Sequence, residues 1–226
     1  MKSPTIERVS PVVVVSTHLD DAVLSCYSAL GSKPTVVTVL AGVPPLGVLG
    51  GWDADGGATD SHDRVLERRD EDRRALLLSG SGHVHMDFPD AQQWGQADIT
   101  PPKTEELADG LRVHLERAGS VYAPAGIWNA EHKLVRDAVL RVRADASLYA
   151  DLPYALHPQM GGFELPEEVP AANRRRREEQ LNARTAAAKV ESARCYETQL
   201  RQLVAIFGPF LNAQTLSREV FWDWIE

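Results

Sequence analysis

Val12-Val13-Val14-Val15-Ser16-Thr17-His18-Leu19-Asp20-Asp21 is the stretch that decides how this chain is read. Four consecutive valines show no alternation, so they predict a strand buried on both faces, as in a parallel sheet. Ala22 to Leu30 then carries apolar residues at helical spacing and stops at Gly31. His18, Asp20 and Asp21 therefore sit where a strand hands over to a helix. Open α/β sheets hold their ligands at that edge. His18 and Asp21, three residues apart, can face one metal ion, which leaves Asp20 as a base for a water.

The same pattern repeats outward. Strands are predicted at 11–16, 35–40, 83–88, 120–123 and 147–149, and helices at 21–30, 62–78, 104–117 and 130–142. Alternation of strand and helix over the first 150 residues indicates an α/β fold with a parallel sheet and crossover helices. No internal repeat or linker divides residues 1–226, so a single domain is expected. A long helical stretch is predicted from about Ala172 to Phe207, with a break or bend. Within it Arg174-Arg175-Arg176-Arg177-Glu178-Glu179 places arginines four residues before glutamates, the spacing of ion pairs on a solvated helix face. Val220-Phe221-Trp222-Asp223-Trp224-Ile225 is too aromatic for a solvated tail and is expected to dock. The irregular stretches 42–60 and 151–170 are candidate loops over a site.

Composition narrows the function classes. The chain has 43% hydrophobic and 25% charged residues and a net charge of −8. That acidity argues against nucleic acid as a partner. Cys26 and Cys195 have no spacing that suggests disulfides or a zinc knot. No apolar segment has the length of a leader or approaches the ~20 residues of a membrane span, so a cytoplasmic protein without a membrane partner is expected. No Gly-x-Gly-x-x-Gly follows the first strand, and its acidic turn would repel a pyrophosphate, which disfavours a dinucleotide site. Oligomeric state is left open.

A catalytic metal site commonly needs three protein ligands. The third candidate is His132, in Tyr122-Ala123-Pro124-Ala125-Gly126-Ile127-Trp128-Asn129-Ala130-Glu131-His132. There, too, a short strand ends in a Pro/Gly turn before a helix. A lone histidine at a helix start is as readily a cap or a surface residue.

Taken together, these segments resemble the PIG-L/LmbE-like metal-dependent N-deacetylases. That family opens with His-Pro-Asp-Asp-Glu after a hydrophobic strand, here His18-Leu19-Asp20-Asp21-Ala22. An Arg-Arg-x-Glu-Asp helix follows, here Arg68-Arg69-Asp70-Glu71-Asp72, and runs on to Gly80. A His-x-Asp-His element is matched in part by Asn129-Ala130-Glu131-His132. Tyr149-Ala150-Asp151-Leu152-Pro153-Tyr154, and Lys189 followed by Tyr196-Glu197-Thr198-Gln199, also look like segments of some members.

The resemblance implies a Rossmann-like sheet with helices on both faces. It also implies Zn2+ (with Fe2+ or another divalent metal as alternatives) and removal of an N-acyl group from an amino sugar or glycosylated metabolite. Carried over, His18, Asp21 and His132 hold the metal and Asp20 is the general base towards the water that the ion activates. Arg68 corresponds to the family's substrate arginine. Asp87 and Asp90, after the third strand, are further substrate-binding candidates. Asn129 stands where many members carry a histidine, and an amide cannot donate a proton at neutral pH. Either Asp20 handles both proton transfers while Asn129 orients the intermediate, or His157 supplies the missing imidazole. The alternative is a catalytically weak or inactive metal-containing binding protein of the same fold.

Overall fold

Val12–Ser16 forms strand β1, and Val13, Val14 and Val15 are all buried although successive side chains point to opposite faces. The computed structural model describes residues 11–225; residues 1–10, where the sequence shows no leader-like run, lie outside it. In chain order the elements are β1, α1 (Asp21–Ser25), α2 (Tyr27–Leu30), β2 (Thr35–Thr38), α3 (Gly51–Asp55), α4 (Ser61–Ser79), β3 (Gly82–His85), α5 (Thr104–Leu115) and β4 (Ser120–Pro124). They continue with α6 (Ala130–Val142), β5 (Ser147–Tyr149), β6 (Arg174–Gln180), α7 (Ala183–Ala193), α8 (Glu197–Phe207), α9 (Ala213–Leu216) and β7 (Arg218–Trp224).

The strands form a seven-stranded sheet in the order β3-β2-β1-β4-β5-β7-β6. From β3 to β5 every pairing is parallel, and β7 then runs antiparallel to both β5 and β6. The fold is thus α/β with a mostly parallel, Rossmann-like sheet. Burial on both faces of β1 requires helices on both faces. The chain moves from β1 to β2 and β3 on one side, then returns to lay β4 on the other side of β1. The carboxyl ends of β1 and β4 therefore flank the crevice where such sheets bind ligands.

Three local readings need correction. The predicted helix 21–30 is two short helices, because Cys26 takes φ −135°. The second starts where Glu219 of β7 accepts hydrogen bonds from the amides of Tyr27 and Ser28 (2.8 and 3.0 Å), a cap that arrives from far along the chain.

The predicted long helix 172–207 begins instead as strand β6, and only α7 and α8 are helical. The i,i+4 ion pairs are not formed. β6 pairs with β7 from Arg174 opposite Trp224 to Gln180 opposite Arg218. Its charges serve the strand: Arg177 lies over the Phe221 ring at 4.3 Å and pairs with Asp223 at 2.6 Å, while Arg218 pairs across to Glu178 at 2.8 Å. Cross-strand stacking and pairing outweigh helix propensity there.

The aromatic 220–225 segment does dock, and it does so as β7, with Val220, Phe221 and Trp222 buried inside the sheet. Among the described residues no helix is long and apolar enough to cross a membrane.

Candidate active site

A cleft of about 350 Å³ opens above the carboxyl ends of β1 and β4, and His18, Asp20 and Asp21 form its floor. The turn after β1 is fixed by Ser16, whose Oγ donates to the His18 carbonyl (2.7 Å) and accepts from Ala22 N (3.1 Å). His18 N in turn donates to Asp21 Oδ2 at 2.7 Å. On the other side Gly126 turns the chain from β4 towards α6 at φ +80°. A Cβ there would lie 2.9 Å from Arg136 Nη1, so the turn needs glycine. Asn129 caps α6 by accepting from Glu131 N (2.8 Å), and His132 follows on the first turn, fully buried.

His18 Nδ1, Asp21 Oδ2 and His132 Nε2 converge. The separations are 3.6 Å from His18 to Asp21, 3.4 Å from His132 to Asp21 and 3.3 Å between the two rings. Ligand atoms ~2.0–2.1 Å from one tetrahedral ion lie roughly 3.4 Å apart, so this triangle fits a metal. The donor set of two imidazoles and a carboxylate suits zinc, and iron(II) or other first-row ions as well.

The tautomers fit too. Asp151 Oδ1 accepts from His132 Nδ1 at 2.7 Å, which leaves Nε2 bare, and its other oxygen is held by Ile127 N at 2.7 Å. Glu131 Oε2 lies 3.3 Å from His18 Nε2, which leaves Nδ1 bare. His18 Nε2 also faces Asp90 at 4.0 Å, giving a second cluster of His18, Asp90 and Glu131. A neutral imidazole ligates through one nitrogen, and the cluster with buried His132 and its Asp151 support is the better prepared. Asp151→Asn is expected to weaken metal binding ~10–100-fold without emptying the fold, as measured by competition with a chelator dye.

The electrostatics favour a cation. Burial alone would lower both imidazoles, yet Glu131 and Asp21 hold the His18 pKa well up, and Asp21 and Asp151 hold up that of His132. Asp20 makes no protein hydrogen bond through its carboxylate among the described residues, and burial together with the Asp21 charge raises its pKa to about 7. A carboxylate so poised beside a metal triangle is suited to proton transfer.

The structure brings together His18, Asp20, Asp21, Asp90, Asn129, His132 and Arg68. Arg68 is 4% exposed and its Nη2 lies 2.6 Å from Asp53 Oδ1. Its potential i+4 partner, Asp72, is engaged elsewhere, by Tyr196 (2.8 Å) and His85 (2.8 Å).

Two candidates are not brought in. Asp87 is exposed and pairs with Arg69 at 2.7 Å, because β3 ends at His85 and the chain turns before reaching the cleft. His157 does not line the cleft; its Nε2 lies 3.2 Å from the Phe207 carbonyl, with its ring against Phe207. Asn129 lines the cleft, but one end of its amide caps α6 and the other donates to the Tyr154 hydroxyl (3.0 Å).

Sequence reasoning missed several contributors. Asp151 and Tyr154 were visible only as part of a familiar-looking segment. Trp52, Trp128, Leu203 and Phe207 make an apolar wall that the sequence reading did not reveal, since they come from three separate segments, α3, the turn before α6 and α8. Trp128, at the mouth, is 61% exposed.

Several solved structures share this architecture. Teicoplanin deacetylase Orf2, in its zinc-inhibited form, superposes with a TM-score of 0.77 at 23% identity, over 94% of this chain and 97% of that one. The A40926 pseudoaglycone deacetylase Dbv21 gives 0.73 at 26% identity, over 96% and 97%. The 4-carboxy-2-hydroxymuconate hydratase GalB of Pseudomonas putida gives 0.52 at 16%, over 96% and 97%. The fold thus serves more than one reaction, and the reaction has to be argued from the site. No family model and no curated protein sequence matches the chain.

Proposed function

We propose, from the premise that this chain shares the fold of the PIG-L/LmbE-like deacetylases, that it hydrolyses the N-acyl group, in the first place N-acetyl, of an amino sugar or glycosylated small metabolite. The observation that carries this reading is the His18–Asp21–His132 triangle with the unengaged Asp20 carboxylate beside it. His18, Asp21 and His132 would hold a divalent ion, with zinc favoured by the donor set. When bound, that ion lowers the pKa of a water and polarises the acyl carbonyl.

The remaining steps belong to the chain. Asp20 accepts a proton from the attacking water as oxygen bonds to the acyl carbon. The C–N bond then breaks, and Asp20 returns the proton to the departing amine. The products are a carboxylic acid, which loses its remaining proton to solvent, and a free amine. Arg68, whose side chain lines the cleft wall, would donate to sugar hydroxyls. Trp52, Trp128, Leu203 and Phe207 offer a surface for the apolar face of a sugar or an attached aglycone. A non-catalytic binding protein is the weaker reading, because a binder has no use for an unpaired, buried Asp20.

Elemental analysis beside activity tests this. Wild type is expected to carry about one divalent ion per chain, to release acetate from N-acetyl glycosides, and to lose that activity to a chelator and regain it with zinc. His132→Ala is expected to lose both metal and turnover. A wild type that takes up no metal after reconstitution overturns the reading.

A further inference from the structure

The cleft contains a hydroxyl that the reaction outlined above leaves unused, on Tyr154. Its hydrogen-bond polarity can be read from its neighbours. Asn129 Oδ1 accepts from Glu131 N at 2.8 Å as the cap of α6. That contact fixes the amide, so its NH2 end faces Tyr154 Oη at 3.0 Å. An amide NH2 can only donate, so the tyrosine oxygen accepts and its own hydrogen is left for another partner. Among the described residues no acceptor takes it.

The ring is clamped edge-to-face against His132 (centroids 5.5 Å apart, 80°) and against Phe207 (5.3 Å, 84°). It therefore stands beside a ligand of the metal triangle, on the cleft side. We propose that Tyr154 is a catalytic hydrogen-bond donor to the oxyanion of the tetrahedral intermediate, with Asn129 as the positioning residue that turns its hydrogen into the cleft. This rests on the deacylase reading.

A phenol keeps its hydrogen at neutral pH, so Tyr154 donates a bond without giving up a proton. The proton for the leaving amine then comes from Asp20. The position at which many family members place a histidine here directs a neighbouring phenol instead.

Three variants of the full, zinc-loaded chain test the inference. Tyr154→Phe is expected to keep its metal content and a KM within about threefold, and to lose ~100-fold in kcat, the effect of removing one oxyanion donor. Asn129→Asp still caps α6, but its carboxylate accepts from the phenol and draws the hydrogen away, so a similar loss in kcat is expected. In the Tyr154→Phe background, Asn129→Asp should cost less than about threefold more, because the relay is already gone.

Binding gives a second readout. A glucosamine whose acetamide is replaced by a methylphosphonamidate presents a tetrahedral anion, and wild type should bind it at least ~30-fold more tightly than Tyr154→Phe. Equal binding, or kcat in Tyr154→Phe within threefold of wild type, overturns the role of Tyr154. An Asp20→Asn variant that is inactive beside an active Tyr154→Phe would leave the deacylase reading standing. A wild type that turns over no N-acyl glycoside fails that reading, and the phosphonamidate comparison still decides the donor.

Discussion

Asp20→Asn is expected to retain its metal and its melting temperature and to lose ~10²–10⁴-fold in kcat. The substitution keeps the shape of the side chain and removes only its ability to take a proton. Asp20 accepts no hydrogen bond through its carboxylate among the described residues, so no such bond is lost. Its carboxylate lines the cleft beside the His18–Asp21–His132 triangle, where it can meet the water that attacks the acyl carbon. His157→Ala serves as the contrast. Its ring is occupied with the Phe207 carbonyl outside the cleft, so kcat should change less than about twofold. If Asp20→Asn keeps a tenth of wild-type turnover, another base must be sought, and if His157→Ala is the inactive one, the proton-transfer scheme is wrong.

The second large effect concerns stability. Lys189 and Glu219 are both fully buried and lie 2.6 Å apart. Glu219 also receives Tyr27 N and Ser28 N, so one carboxylate joins α7, β7 and the start of α2. Glu219→Ala leaves a buried ammonium and two buried amides without acceptors. Breaking a buried pair from one side costs ~3–5 kcal/mol, and equilibrium denaturation should show a loss of that size. Glu219→Gln retains an acceptor for the amides and should lose less. A Glu219→Ala loss below about 1 kcal/mol would mean that water or a shifted chain replaces the carboxylate.

How far the sequence discloses all this depends on whether the cause is local. The valines of β1 and the helix 130–142 could be read residue by residue, because the unbroken apolar run and the helical segment are each written in adjacent positions, although the Asn129 cap was not foreseen. His18, Asp21 and His132 were legible because each follows a strand at the same sheet edge. Arg174–Gln180 was misread because its charges fit a helix spacing, while the partner that makes it a strand lies some forty residues on. Asp151 and Tyr154 act on the site through rings and amides brought together by the sheet, and no spacing in the chain encodes that. The helix motif Arg68–Asp72 was read as an element of the resembled family, with Arg68 as its substrate arginine. In the structure Arg68 alone lines the cleft, whereas Glu71 and Asp72 anchor Thr198 and Tyr196 and so hold α8, which carries the apolar wall.

The antiparallel pairing of β6 with β7 also has a consequence for synthesis. Among the described residues β6 hydrogen-bonds to no other strand. Ribosomes add ~5–20 residues per second, so for some seconds β6 has been made while β7, the strand it pairs with, has not. During that interval β5 also lacks its outer partner, since β7 fills the gap between them. An apolar strand waiting in this way would be a seed for aggregation. Arg174 to Gln180 contains no apolar residue, and such a segment can remain hydrated until β7 arrives and the sheet is completed.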